Sequence, residues 1–327
     1  MRKLNLLSLS LIAMSMTALC GCSKGAYSIG VLFPVEHDAL KLAAKGFKEA
    51  LVEAGLEEGK DFSINEKNAG GDEAALQTMA KDLVVSSSMT LGLGTGASKA
   101  LQSASVDNGK TNPVLFTAVT DPVGAKLVEK DENGSGFVTG ASDAQPIALQ
   151  IGLIKEILPG ADKIGIIYTQ SEENSVVQAN QAETIAKGLG LEVVRKTVTG
   201  PSDIAANATA LASTSGIDAM YVPTDNNIAA NMNAIKEACN TYHVLSMCGE
   251  FGEVKTGGHI SYSFDYETLG KETGKLAVQI IKDGKQAKEL PVVYMAESQC
   301  SIKYSEDNLA ASGITLPETV LAKASKI

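Results

Sequence analysis

The chain has 327 residues, 44% of them hydrophobic and 20% charged, with no low-complexity run. At about 150 residues per domain, this is a globular chain with apolar material for two cores. Its net charge of −10 argues against nucleic acid as a partner and against a basic face lying on a membrane.

In chain order, Arg2 and Lys3 make a positive start, and Leu4 to Leu19 is mostly apolar but short for a bilayer span. Leu19-Cys20-Gly21-Cys22 then resembles a bacterial lipobox, with Leu at −3 and Gly at −1 of Cys22. Cys20 at −2 is unusual, and it cannot be the acceptor because Leu19 would then sit at −1. Residues 1–21 are therefore expected to be a lipoprotein signal peptide and 22–27 a lipid-anchored linker. Cys22 would carry thioether-linked diacylglycerol and, where present, an N-acyl chain such as palmitate, the two or more chains that stable anchoring takes. The expected location is the extracytoplasmic face of the cell membrane; plain secretion and an uncleaved anchor are the alternatives. Cys239, Cys248 and Cys300 remain, an odd number that excludes a fully paired framework. All three read as buried thiols acting as small hydrophobes.

Ile29 to Phe33 is a short strand, followed by Pro34-Val35-Glu36-His37-Asp38 and a helix with Leu40, Ala43, Ala44, Phe47 and Leu51 on one face. A strand over Phe62 to Glu66 leads to Gly70-Gly71-Asp72 and a helix through Leu76, Met79, Ala80 and Leu83. Met89 to Leu93 and Asn112 to Val119 are buried-strand patterns, and Phe137 to Ser142 is extended. After a helix from Pro146 to Leu158 the pattern restarts, with strands at Lys163 to Tyr168, Leu191 to Val198, Asp218 to Val222 and Val244 to Met247. Helices lie between them: one runs to Leu189, one spans Asp203 to Ser213, and one passes through Met232, Ile235 and Ala238. The tail reads as extended at Ile260 to Phe264, helical from Tyr266 to Ile281, extended at Pro291 to Met295, then helical near Asp307 and Val320.

This alternation predicts the α/β class: two doubly wound α/β lobes. Lobe one would take 28–140 with 265–295, and lobe two 141–264 with 296–327. The chain leaves lobe one near Asp143, returns near Asp265 and crosses again near Ala296, so three strands make a hinge around a cleft.

Leu91 to Ser98, L-G-L-G-T-G-A-S, organises the first lobe. Its glycines permit a tight turn from strand into helix. The unpaired N–H groups and dipole of that helix start, with the Thr95 and Ser98 hydroxyls, suit one carboxylate or phosphate. No Gly-Lys-Ser/Thr follows, so it is not a Walker loop.

Ligands of open α/β sheets bind beyond the carboxyl ends of strands. Those ends here are Phe33 to His37, Thr95 to Ser98, Thr120-Asp121, Ser171 to Ser175, Thr224 to Asn226 and Glu250-Phe251. The expected ligand residues are Phe33, Glu36, Thr95, Ala97, Ser98, Thr120, Asp121, Asp143, Asn174, Ser175, Asp225, Asn226, Glu250 and Phe251. Thr95, Ala97, Ser98 and Thr120 suit an anion; Asp225, with Glu250 or Asp143 assisting, suits a cation. Phe33, Phe251 and Tyr262 supply aromatic walls. A zwitterion between the lobes fits, and an amino acid is the simplest one. For each single Asp or Asn, a plain helix cap stays open. Histidine occurs only at positions 37, 243 and 259, and no nucleophilic triad or metal-ligand cluster is apparent, so neither catalysis nor a cofactor or metal is expected.

These residues are also similar to those of a known family, the lipoprotein solute-binding components of ABC importers that include the tryptophan- and tyrosine-binding proteins. The resemblance spans nearly the whole mature chain. It rests on Glu36-His37 with Ala39-Leu40, Gly94-Thr95 with Ala97, Ala118-Val119-Thr120-Asp121-Pro122-Val123, Gly140, Ser142-Asp143, Pro146 and Gln150. It continues through Tyr168, Glu173-Asn174-Ser175, Gln178, Tyr221-Val222-Pro223-Thr224-Asp225-Asn226 and Asp265-Tyr266 with Leu269-Gly270. It implies a type I periplasmic-binding-protein fold and a monomer that binds an aromatic L-amino acid, tryptophan or tyrosine. It also implies an ABC permease with its ATPase as partners. The family's G-E-E-like segment reads Cys248-Gly249-Glu250-Phe251 here, and its usual proline after Gly-Thr is Gly96. Both departures lie at the cleft, so a sugar, a nucleoside or another amino acid stays open as ligand, as does an added adhesin role.

Overall fold

The computed structural model describes residues 26–130 and 132–327; the expected signal peptide, the lipobox and Cys22 lie outside them. The first half runs β1 (Tyr27–Phe33), α1 (Asp38–Glu53), β2 (Phe62–Asn68), α2 (Glu73–Ser86), β3 (Met89–Leu93), α3 (Gly94–Asp107), β4 (Val114–Thr117) and β5 (Val138–Ser142). The second half runs α4 (Ile147–Ile157), β6 (Lys163–Thr169), α5 (Glu173–Gly188), β7 (Glu192–Val198), α6 (Pro201–Thr214) and β8 (Ala219–Val222). It continues with α7 (Asn226–Ala229), α8 (Met232–Tyr242), β9 (Leu245–Cys248), α9 (Phe251–Thr256) and β10 (Ile260–Ser263). The tail adds α10 (Tyr266–Asp283), β11 (Val293–Tyr294), β12 (Ser301–Tyr304), α11 (Glu306–Ser312), α12 (Glu318–Leu321) and β13 (Ala324–Lys326).

Two sheets result, in the orders β11-β5-β4-β3-β1-β2 and β13-β12-β10-β9-β8-β6-β7. Their strand pairs are parallel, except β10 with β12. Parallel strands covered on both faces are apolar on both, and the period of two divides their residues between two cores. In β1, Ile29, Val31 and Phe33 enter one cluster and Leu32 the opposite one. In β6, Ile164, Ile166 and Tyr168 face one way and Ile167 the other. The chain passes between the sheets after β5, after β10 and after β11.

Helices α1 and α10 touch backbone to backbone. A Cβ on Gly46 would lie 1.9 Å from the Glu267 carbonyl oxygen, and one on Gly270 would lie 1.9 Å from that of Ala43. Only glycine admits this approach. Lys45 pairs with Glu267, Lys271 with Glu49 and Glu53, and Lys282 reaches the Ala54 carbonyl, so the helices run parallel and their N-termini, at His37 and Tyr266, reach the same end of the cleft.

The helix expected through Met232 is two helices. The Asn231 side chain donates to the Asn227 carbonyl at 2.8 Å, which satisfies that acceptor locally and lets α7 stop. Strands β12 and β13 and helix α9 are further elements beyond the sequence reading. Cys239 and Cys248 are buried as expected, whereas Cys300 is only partly so.

Candidate functional site

The loops after β1, β4, β5, β6, β8, β9 and β10 converge on one small cavity of about 10 Å³, far below the ~300–1,000 Å³ usual for small-molecule sites, so a ligand must part its lining to enter. The first lobe contributes His37, Leu40, Ala118 and Tyr266; the second contributes Asn174, Thr224, Asp225, Asn226, Ala229, Glu250 and Glu253, with Asp143 on the first crossing segment. Ala118 is held at φ 60°, a conformation few non-glycine residues adopt and one that gathers at functional sites.

The cavity is acidic, and each acid is held differently. Asp143 accepts from the Thr120 hydroxyl (3.0 Å) and the Tyr266 hydroxyl (2.6 Å). Asp225 caps α7 and accepts from Ile228 N (2.9 Å), Thr169 N (2.6 Å) and Thr169 Oγ1 (2.8 Å). Glu250 caps α9 through Gly252 N and Glu253 N. Glu253 accepts from Gly249 N at 2.9 Å with one oxygen, and its other oxygen, Oε1, is buried without a partner. Burial raises all four carboxyls above the usual range, Glu250 to about 7. No Lys or Arg is among the residues lining the cavity. His37 is its one basic group, and burial lowers that imidazole to about 4, so it is neutral at pH 7.

Outside the cavity, a wider groove of about 520 Å³ opens between the lobes, past Asn174 and Asn226. Cross-cleft contacts close the two together. His37 Nε2 lies 3.1 Å from Asn226 Oδ1, Lys99 pairs with Glu173 at 2.5 Å, and Lys255 pairs with Asp38 at 2.7 Å.

The structure gathers Asp143, Asn174, Asp225, Asn226 and Glu250 around the cavity, with Thr120 and Ser175 directly behind Asp143 and Asp225. The anion-binding set is corrected in part. Ser98 donates its hydroxyl to the carbonyls of Gly92 (3.2 Å) and Gly94 (2.7 Å) and offers nothing to the cleft. Ala97 is core. Thr95 borders the groove with a buried, partnerless hydroxyl. Asp121 sits at the rim and caps the turn at Gly124. The aromatic walls are corrected too: Phe33 and Tyr262 pack on the two cores, and the Phe251 ring lies under Lys303 Nζ at 4.5 Å. Glu36 is exposed and pairs with Lys41. Tyr266 is the aromatic residue that does line the cavity. It, His37, Glu253 and Glu172 are not among the expected ligand residues, although His37 and Glu172 lie within the strand-end stretches and His37 and Tyr266 each start a helix.

With this geometry in hand, the chain was compared with known proteins. The family model for ABC transporter substrate binding protein matches residues 28–327. The chain belongs to this family. Such proteins are solute-binding transport components and not enzymes. A tyrosine-binding protein of Clostridioides difficile strain R20291 is 34% identical over 290 residues, 88% of this chain and 81% of that one. A structure from Streptococcus pneumonia described as an ABC domain in complex with L-Trp is 33% identical, with a TM-score of 0.85 over 92% of this chain and 99% of that chain. A ligand-free, open substrate-binding protein with adhesive properties from Clostridium difficile is 31% identical with the same coverage, but its TM-score is 0.68. Identity and coverage barely differ between these two, and a changed lobe angle lowers such a score without changing coverage. Of the two, the present lobe arrangement is the nearer to the L-Trp complex, in keeping with its cross-cleft contacts. The type I periplasmic-binding-protein fold expected from the sequence is the fold observed.

Proposed function

We propose that this chain captures an aromatic L-amino acid, tryptophan or tyrosine, for an ABC importer. The observation that carries the reading is the enclosed cavity whose Asp143, Asp225, Glu250 and Glu253 face no protein cation. A buried cluster of carboxyls without a counter-charge is costly unless a cation enters. A ligand ammonium supplies that cation, held by Asp143, Glu250 and the unpartnered Oε1 of Glu253. The ligand carboxylate lies toward the start of α3, where the Thr95 hydroxyl is unpartnered and the helix dipole is positive. Leu40, Ala118, Ala229 and Tyr266 are the apolar lining on which the side chain packs once the cavity widens to admit it. The L-Trp bound to one relative and the name of another support the same ligand class.

Binding to the folded state raises the melting temperature by mass action, by ~2.7 kcal/mol of stability at a hundredfold excess over Kd. A thermal-shift screen on protein unfolded and refolded to strip carried-over ligand tests the reading. A shift with aromatic amino acids supports it; a shift with a sugar or nucleoside and none with amino acids refutes it.

In the same proposal Cys22 anchors the protein to the outer face of the cell membrane, beside the permease and ATPase it serves. Among the described residues no helix is long and apolar enough to cross a membrane. Cys22→Ser should release the protein or leave an unprocessed precursor; membrane retention of a processed Cys22→Ser form refutes the anchor.

A further inference from the structure

Glu172 accepts hydrogen bonds from Asn226 N (3.0 Å), Asn227 N (2.9 Å) and the Asn226 side-chain nitrogen (2.6 Å). These donors fix which way the Asn226 amide points. Its NH2 faces the Glu172 carboxyl, so the atom it turns toward His37 is the oxygen, a pure acceptor. That oxygen lies 3.1 Å from His37 Nε2, so Nε2 carries the proton of the neutral ring. The other nitrogen, Nδ1, is then a lone-pair acceptor. It is sealed from solvent and has no partner in the protein, and His37 lines the cavity. A buried acceptor of this kind is costly until something donates to it.

We infer that His37 Nδ1 accepts a hydrogen bond from the side chain of the bound amino acid, an indole N–H or a phenol O–H. The site thereby selects tryptophan or tyrosine over phenylalanine. The inference rests on the aromatic amino-acid reading of the cleft. A phenylalanine ring brings no donor and leaves Nδ1 unmade. A site built around a ligand N–H or O–H discriminates strongly against the analogue that lacks it. The two parts of this reader come from different lobes. His37 stands at the start of α1, while Asn226 and Glu172 lie beyond β8 and β6. The tautomer is therefore set when the lobes close, and selection is exercised on the closed complex.

The test is calorimetric titration of L-Trp, L-Tyr and L-Phe into the refolded mature chain and three variants. Wild type should prefer Trp or Tyr to Phe by about 5- to 150-fold, the cost of one buried polar atom left unmade. His37→Leu should remove that preference by weakening Trp and Tyr while leaving Phe within a few-fold. Two further variants keep the test informative if His37→Leu fails to fold. His37→Asn can place its amide oxygen where Nδ1 stood and should keep part of the preference. His37→Gln reaches the Nε2 position, keeps the Asn226 contact and should lose the preference. An unchanged preference in His37→Leu and His37→Gln overturns the inference alone. So does an equal loss for all three amino acids, which would make His37 a partner of the common ammonium or a lobe contact. Failure of wild type to bind any of the three overturns it together with the functional reading.

Discussion

Gln178 and Thr120 meet across the cleft, the Gln178 amide donating to the Thr120 hydroxyl at 3.1 Å. Gln178 lies on α5 of the second lobe, and Thr120 follows β4 of the first. The same amide donates to the Thr224 hydroxyl, and its oxygen accepts from Thr224 N at 3.2 Å. The Thr120 hydroxyl in turn donates to Asp143, which also accepts from Tyr266. One amide thus links the second-lobe strand end to an acid of the cavity, and it does so only when the lobes are closed.

Gln178→Ala should therefore loosen the closed complex. Losing the one cross-cleft hydrogen bond and leaving its buried partner unsatisfied amounts to ~1–3 kcal/mol, a 5- to 150-fold loss of affinity. The cross-cleft share should appear mainly as faster dissociation in stopped-flow displacement, while the two contacts to Thr224 within the second lobe are lost in the ligand-free protein as well and lower its melting temperature. An unchanged off-rate would show that closure is held elsewhere.

Asp225 and Glu253 separate cap from ligand contact. Asp225 is satisfied by protein donors on both oxygens, so Asp225→Asn should act on the fold. The asparagine oxygen can keep the cap, but its NH2 then faces Thr169 N–H, an unmade donor that should cost ~1–3 kcal/mol, lowering the melting temperature by several degrees while changing affinity little. Glu253→Gln keeps an acceptor for Gly249 N and turns an NH2 group toward the ligand ammonium. Losing one side of a desolvated charge pair costs ~2–5 kcal/mol, so titration should show at least a thirtyfold weaker complex. The reverse pattern would return the ammonium to Asp225.

The sequence made the fold legible where the hydrophobic period was long. The apolar run Met89–Leu93 is β3 to its ends, and α1 shows its apolar face in Leu40, Ala43, Ala44, Phe47 and Leu51. The sequence reading missed α9, only six residues long, and β12 and β13, which lack the continuous buried run of the equally short β8 and β9. At the site, position beyond a strand end was legible and side-chain direction was not. Phe251 follows β9 as expected, yet its ring turns to Lys303. Ser98 has the right chemistry, but sitting one turn into α3 it finds the Gly94 carbonyl first. His37 and Tyr266 reach the cavity because α1 and α10 pack in register through Gly46 and Gly270, a tertiary contact that no local pattern announces.

The buried acids set a pH dependence. Burial raises Glu250 to about 7, and burial with the Asp225 charge raises Glu172 to about 8. A raised carboxyl stabilises the folded form below its unfolded value near 4.5, and that contribution is lost as pH climbs through 7 and 8. His37 and His259, lowered to about 4 by burial, act oppositely, and their contribution is lost as pH falls from about 6.5 to 4. The two sets oppose each other below pH 6.5, and only the carboxyls act above it. The melting temperature of the ligand-free protein should therefore fall from pH 6.5 to 8.5. Ammonium binding ionises the carboxyls, so it should release protons near pH 7, which calorimetry in buffers of different ionisation enthalpy will detect. A melting temperature that rises over this range, or proton uptake on binding, would contradict the assignment.

The most direct measurement compares L-Trp and L-Tyr with their N-acetyl derivatives by titration into refolded protein. N-acetylation removes the ammonium and keeps the carboxylate and the ring. The acid-lined cavity predicts one-to-one binding of at least one free amino acid and a loss of at least thirtyfold on acetylation, as for any desolvated charge pair broken on one side. Equal binding of free and acetylated forms, or binding of neither, would contradict the account.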